Sequence, residues 1–144
     1  MKYTKTDRIV VSALIIERGK ILAVKRSDKT KHFPTMMSFP GGKVEKGEDL
    51  RSAIVREVLE ETGYVVKPVG NEIYLGSEIR KGETAGFYVI RCKVISKGKV
   101  VVDEMVDKGL WVGANDFLEN LTRHNFYKGQ IAETERLLKK EGLI

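Results

Sequence analysis

Three glutamates, Glu57, Glu60 and Glu61, fall within the short run REVLEE at residues 56–61. At spacings of three and four they lie on adjoining faces of a single helical turn. Two carboxylates roughly 5–6 Å apart repel by about 3 kcal/mol at an effective dielectric of 20. They also stand toward the helix C-terminus, where the macrodipole is negative. Arg56 can offset part of this by pairing with Glu60 four residues on, but one guanidinium does not neutralise three acids. A divalent cation does, and clustered hard oxygens suit Mg²⁺, with Mn²⁺ as a substitute. Taken alone, REVLEE reads equally well as a solvent-facing acidic helix end.

The run is carried by a helix expected over residues 50–62. Asp49 is suited to its N-cap, and Gly63 stands where a left-handed residue ends a helix. At about 100° per residue, Leu50, Ala53, Ile54, Glu57 and Glu61 share one side, with Glu60 at its edge. Val55, Val58 and Leu59 make other directions apolar, so the helix is largely covered and the acids prolong an apolar stripe. Just upstream, FPGGKVEKGE leads into the same helix. Its paired glycines, Gly41 and Gly42, let backbone approach a bound ion or phosphate closely.

The remaining elements follow from periodicity and turn residues. Residues 8–26 read as a hairpin turned by ERGK, and 27–35 as a polar loop. MMSFP is a short strand running into Gly41. Residues 64–75 and 86–96 are β-rich, KGK at 97–99 turns into VVVD, and Trp111 with Val112 suggests another strand. Residues 115–122 and 128–140 read as helices, the second with Ile131, Leu137 and Leu138 on its apolar side. Strands interleaved with helices predict an α/β chain with helices on both faces of a sheet.

Length and composition fit one soluble domain over 1–144, with 42% apolar and 32% charged residues in 144. No long apolar run suggests a membrane span, and the N-terminus lacks the features of a secretory signal. The lone Cys92, in an alternating apolar run, fits a buried thiol in a reducing cytoplasm. A net charge of +6 favours phosphate-bearing partners, nucleotide or nucleic acid, or else a solvated lysine surface. His32 and His124 are too distant in sequence to suggest a metal pair.

The stretch from Gly42 to Tyr64 resembles the signature of the Nudix hydrolases. Gly42 is followed after five residues by Glu48 and after seven more by Arg56-Glu57. Val58, Glu60, Glu61 and Gly63 then keep the family spacing, and Tyr64 departs from its last aliphatic position. Outside the signature the order is similar: Lys25-Arg26, FPGG, then a later acidic segment before Trp111. The resemblance implies an α/β/α sandwich with a central mixed sheet. It also implies metal-dependent hydrolysis of a nucleoside diphosphate linked to another moiety.

By the family pattern Glu57, Glu60 and Glu61 hold the metal, with the Gly41 carbonyl. Arg56 orients the glutamates, while Glu48, Gly42 and Gly63 support the site. Glu57 is the expected proton acceptor. Glu104 is the candidate for a further acid, with Asp103 and Asp107 as near alternatives. Arg26, Phe39, Gly41, Gly42, Asn125 and Phe126 are candidate substrate contacts. Helix N-capping is an alternative role for Asn125, and a surface charge for Arg26.

The layout looks closest to the MutT-like branch, which removes pyrophosphate from (d)NTPs and so cleanses the nucleotide pool. GSEIRKG lacks the proline of ADP-ribose-cleaving relatives and the tyrosine of those that cleave dinucleoside polyphosphates. Ser38, where several relatives carry a larger residue, counts against a preference for oxidised guanine. Cleavage of ADP-ribose-like compounds or RNA 5′ ends is the second reading. A non-catalytic nucleotide- or nucleic-acid-binding module is the third, though all the acids of the signature are present. The partner is thus a small nucleotide, with RNA secondary and no membrane; monomer and homodimer both remain open.

Overall fold

The computed structural model describes residues 8–80, 82–98 and 106–144. Its strands are β1 (Arg8–Glu17), β2 (Lys20–Arg26), β3 (Met37–Ser38), β4 (Gly41–Lys43), β5 (Tyr64–Pro68), β6 (Ile73–Arg80), β7 (Glu83–Lys97) and β8 (Val106–Val112). Its helices are α1 (Leu50–Thr62), α2 (Ala114–Arg123) and α3 (Lys128–Lys140). One mixed sheet runs β3-β2-β1-β7-β5, with β4 added to β1, β6 to β7 and β8 to β2. Among the described residues only the central pair, β1 with β7, is parallel, in register from Arg8 opposite Ala85 to Ile15 opposite Cys92. Among the described residues no helix is long and apolar enough to cross a membrane.

Strand alternation divides the core between two faces. Val11, Ala13 and Ile15 of β1, with Tyr88, Ile90 and Cys92 of β7, pack with Leu50, Ala53, Ile54 and Val58 of α1. Leu14 of β1, with Ala85, Phe87 and Val89 of β7, packs on Phe117 and Leu121 of α2 and Leu137 and Leu138 of α3. Helices therefore cover both faces, the layering the sequence led us to expect. Cys92 is buried as expected, and burial pushes its thiol up to about 11.

The hairpin closes through Arg18 and Gly19, both at positive φ (53° and 77°), as a two-residue turn in a right-twisted ribbon requires. Its strands then part. They pair only at Ile16–Ile21 and Glu17–Lys20. Beyond that, β4 lies against Val10–Ser12 of β1, and β3 against Val24–Lys25 of β2. Side chains of both parted strands line a cavity of about 530 Å³.

Helix α1 has the limits expected of it. Asp49 Oδ1 accepts from Ser52 N at 2.7 Å, and Gly63, at φ 78°, donates its N–H to Leu59 O at 3.0 Å. Thr62, which hydropathy does not mark as core, is 9% exposed. Its hydroxyl donates to Val58 O at 2.7 Å and accepts from Tyr64 N at 3.1 Å, tying the helix end to β5. Asn125 does not cap α3, whose N-cap is Tyr127, without a side-chain cap bond. Asn125 instead takes the left-handed conformation (φ 55°) behind α2 and donates its N–H to Thr122 O at 3.0 Å. Asparagine tolerates that conformation better than most residues, which explains its place there. The KGK turn lies partly outside the described residues.

Candidate functional site

The site is built where α1 crosses β4. Glu57 and Glu61, one turn apart on α1, both reach the β4 backbone. Glu61 Oε1 accepts from Gly41 N at 2.7 Å. The Glu57 carboxylate lies against Gly42 so closely that a Cβ there would stand 2.8 Å from it. A Cβ on Gly41 would drive into Val11 O of β1 and stand 2.8 Å from Ser12 Cα. Gly41 is thus required by the chain's own backbone packing, whereas at Gly42 the obstacle is the far end of the Glu57 side chain.

Arg56 organises the acids. It grips Glu48 with two bonds, Nε to Oε2 at 2.8 Å and Nη2 to Oε1 at 2.9 Å. Its Nη1 donates to Glu57 Oε1 at 3.0 Å and to Glu60 Oε1 at 3.2 Å, the i,i+4 pairing anticipated from spacing. Glu45 is a looser neighbour at 3.8 Å. The Glu48 carboxylate also accepts from Glu45 N at 3.1 Å, which closes the turn before the helix. Hydrogen bonding to Glu48 first, then to Glu60, raises the Arg56 pKa, so the guanidinium stays charged.

The Arg56 hydrogen bonds, with that from Glu45 N–H, lower the Glu48 carboxyl from 4.5 to about 2. A carboxyl depressed in the folded state adds stability above its unfolded value, and that stability drains as pH falls toward the folded one. The window therefore runs from about pH 4.5 down to about 2. Glu48→Gln is expected to cost about 1–2 kcal/mol at pH 7, allowing for partial solvent screening. It should also flatten the loss of stability across that window. Urea unfolding of both proteins at a series of acid pH values reads both effects; equal slopes would contradict this role for Glu48.

The donor chemistry fits a hard divalent cation: Glu57, Glu60 and Glu61 lie within about one turn of α1, and Arg56 is shared among Glu48, Glu57 and Glu60. Glu60 is turned toward Arg56, and among the described residues no three acid, thiol or imidazole groups converge as a preassembled ligand set. Glu104 and Asp103 lie outside the described residues, as does the side chain of Asp107.

The cavity opens from this corner. Gly41, Gly42, Lys43 and Glu61 line one end. Arg8, Arg26, Lys29 and Lys31 add positive charge, while Phe39, Phe87, Phe117, Leu121 and Phe126 form apolar wall. Arg26 donates from Nη1 to His32 O at 2.8 Å, with its guanidinium 5.9 Å from the centre of the Phe33 ring. Phe39 stacks on Phe117 at 4.7 Å, and Phe126 meets Phe33 edge-on at 5.0 Å. Ser38 also lines the cavity, whereas Asn125 is exposed and stands outside its lining. His124 contacts Thr35 Oγ1 at 3.3 Å and Asn120 O at 2.9 Å.

Sequence reasoning missed several lining residues. Arg8, Ser12 and Lys43 give no local signal. Gln130 and Thr134 do: with Leu137 and Leu138 they complete the buried stripe of α3, two polar side chains where the period calls for apolar ones.

Over 59 residues the chain is 42% identical to the ADP-ribose pyrophosphatase of Methanocaldococcus jannaschii, covering 41% of this chain and 34% of that protein. The match therefore spans about a third of that relative's length. Over 149 residues it is 27% identical to nucleoside triphosphatase NudI of Escherichia coli O139:H28, covering 96% of this chain and 99% of that one. In fold it is similar to the crystal structure of the MutT protein from Methanosarcina mazei Go1, with a TM-score of 0.73, 24% identity and coverage of 96% and 99%. The NUDIX domain family model matches residues 6–133, and the chain belongs to that family.

Proposed function

We propose that the protein is a metal-dependent pyrophosphohydrolase that converts a (d)NTP to (d)NMP and pyrophosphate. The observation that carries this reading is the junction of the Glu57–Glu61 corner with a cavity whose lining joins arginines and lysines to aromatic wall. That combination matches a nucleotide: cationic side chains for the phosphates and an apolar wall for the base. The likeness to nucleoside triphosphatase NudI, which runs along nearly the whole of both chains, favours a triphosphate.

Glu57, Glu60, Glu61 and the Gly41 carbonyl would hold Mg²⁺ or Mn²⁺, whose charge offsets that of the phosphates and lowers the pKa of bound water. Glu57 takes the proton of the attacking water. Arg56, fixed by Glu48, holds Glu57 in orientation. Arg26 and Lys43 attract the phosphates, and Phe39 and Phe126 border the space left for the base. In such transfers positioning and electrostatics supply most of the barrier reduction.

A second reading, cleavage of an ADP-ribose-like compound, draws on the name of the M. jannaschii relative, though the match spans only 34% of that protein. Separating products from a panel of nucleoside triphosphates, ADP-ribose and 5′-triphosphorylated RNA, with Mg²⁺ or Mn²⁺, decides between them. The expected products are nucleoside monophosphate and pyrophosphate from at least one triphosphate. Faster release of AMP and ribose 5-phosphate from ADP-ribose would overturn the first reading, and no cleavage of any compound would overturn both.

A further inference from the structure

The outer edge of the sheet gathers exposed apolar side chains. β5 and β6 lie end to end along β7, β5 against residues 92–97 and β6 against residues 83–89. Among the described residues neither has a strand on its other side. Five large apolar residues are exposed among those described, and four of them stand on this edge or on its connection: Val69, Ile73, Tyr74 and Ile79. Val69 is 52% exposed and Ile79 is 74% exposed. Single exposed apolar side chains are ordinary, but several along one edge mark a contact surface.

The backbone of this edge is largely committed. Val69 donates its N–H to Arg91 O of β7 at 2.8 Å. Arg51 of α1 donates to Gly70 O at 2.8 Å and to Pro68 O at 3.2 Å, and Gln130 of α3 donates to Leu75 O at 2.7 Å. Pro68 has no N–H to offer, and the register with β7 shifts between Tyr74 and Ser77. An edge guarded in this way does not extend its ladder into another chain. Whatever covers it is met by side chains.

Charge is divided along the same edge. Lys67 lies opposite Lys93 of β7 at the β5 end, an unfavourable like-charge pair. Glu72 and Glu78 stand toward the β6 end. Among the described residues none of these four joins an ion pair. The lysines alternate with Val66 and Val94, which pack with α1, so they lie on the opposite face of the sheet. Glu78 lies opposite Ala85, on the face covered by α2 and α3. The lysines and Glu78 therefore share one face at opposite ends of the edge, with Val69, Ile73 and Tyr74 between them.

We propose that this edge is the contact surface for a second copy of the chain in a two-fold dimer. An axis normal to the sheet, near the middle of the edge, reverses the edge and keeps its faces. It brings Lys67 of each copy toward Glu78 of the other and sets the apolar middle against its own counterpart. A surface of this kind is self-complementary, as a closed dimer requires. A partner carrying one sign of charge would meet repulsion at one end, which favours a second copy over a nucleic acid or an acidic peptide.

Sedimentation velocity of the full chain over a concentration series tests this. The expected result is reversible dimerisation with a Kd of about 1–100 µM, as suits a small and partly polar interface. Val69→Asp, at an exposed position outside the core, should weaken dimerisation at least about tenfold. Lys67→Glu and Glu78→Lys should each weaken it about 3–10-fold, and the chain carrying both should regain the wild-type Kd within about twofold. Arg136→Glu, on the exposed side of α3, is the control and should leave the Kd unchanged.

A wild type that stays monomeric up to about 0.5 mM would overturn the proposal. So would a dimer that survives Val69→Asp, Lys67→Glu and Glu78→Lys alike, since another surface would then hold it. If each reversal weakened the dimer and the double reversal did not restore it, the pairing of Lys67 with Glu78 would be overturned. Circular dichroism shows which variants fold, and recovery in the double reversal excludes misfolding as the cause of the single losses. Dimerisation is read without substrate, so its outcome is independent of the pyrophosphohydrolase reading.

Discussion

Glu57→Gln is expected to lower kcat for the preferred nucleoside triphosphate by about 10²–10⁴-fold, the usual contribution of a positioned general base. The substitution keeps side-chain volume and an oxygen able to accept from Arg56 Nη1, which stands 3.0 Å from Glu57 Oε1 in the wild type. It removes the basicity and one negative charge beside Glu60 and Glu61, easing repulsion on that turn. Thermal stability should therefore stay within about 1 kcal/mol of wild type. The Mg²⁺ concentration for half-maximal rate should rise as well, because the same carboxylate is proposed to hold the ion. Glu45→Gln is the internal control. Its side chain is 69% exposed and only 3.8 Å from Arg56, so kcat should change less than about twofold. Steady-state kinetics over a magnesium titration measures all three proteins. Equal kcat for Glu57→Gln and wild type would remove Glu57 from the chemistry.

Local features of this site were legible because their causes are local. The Asp49 cap, the left-handed Gly63 and the Arg56–Glu60 pair each depend on residues no more than four apart. Their geometry follows from helix periodicity alone. Layering was legible for a similar reason: alternation in β1 and β7 separates one face from the other before either meets a helix.

What could not be read depends on distant partners. Nothing in residues 8–26 announces that β1 and β2 part after two residue pairs, because parting is driven by β4 and β3 inserting from later in the chain. The cavity is a product of that insertion. Asn125 was misread because a polar residue ahead of a helix serves as an N-cap or as the left-handed end of the preceding helix with the same sequence signature. The short interval between α2 and α3 decided for the latter. Gln130 and Thr134 were visible as polar breaks in an apolar stripe, and only the cavity gives that break a meaning.

The two glycines of β4 should behave as opposites despite being neighbours. In Gly41→Ala the new methyl group meets Val11 O and stands 2.8 Å from Ser12 Cα, both backbone atoms of a strand paired with β7. Neither can retreat without breaking the ladder between β1 and β4 or that between β1 and β7. The expected cost is about 3–5 kcal/mol, with loss of soluble, cooperatively folding protein. In Gly42→Ala the methyl group stands 2.8 Å from the Glu57 carboxylate, the far end of a flexible side chain. That group can swing aside, and alanine restricts the unfolded backbone more than glycine does, so stability should change by less than about 1 kcal/mol. Activity should nevertheless fall by about 10²-fold, because displacing Glu57 by the order of an ångström spoils its aim at the attacking water. Thermal melts and kcat/KM for the two variants separate the cases. A stable Gly41→Ala would contradict the β1–β4 packing. A fully active Gly42→Ala would mean that the position of Glu57 against β4 is irrelevant to the reaction.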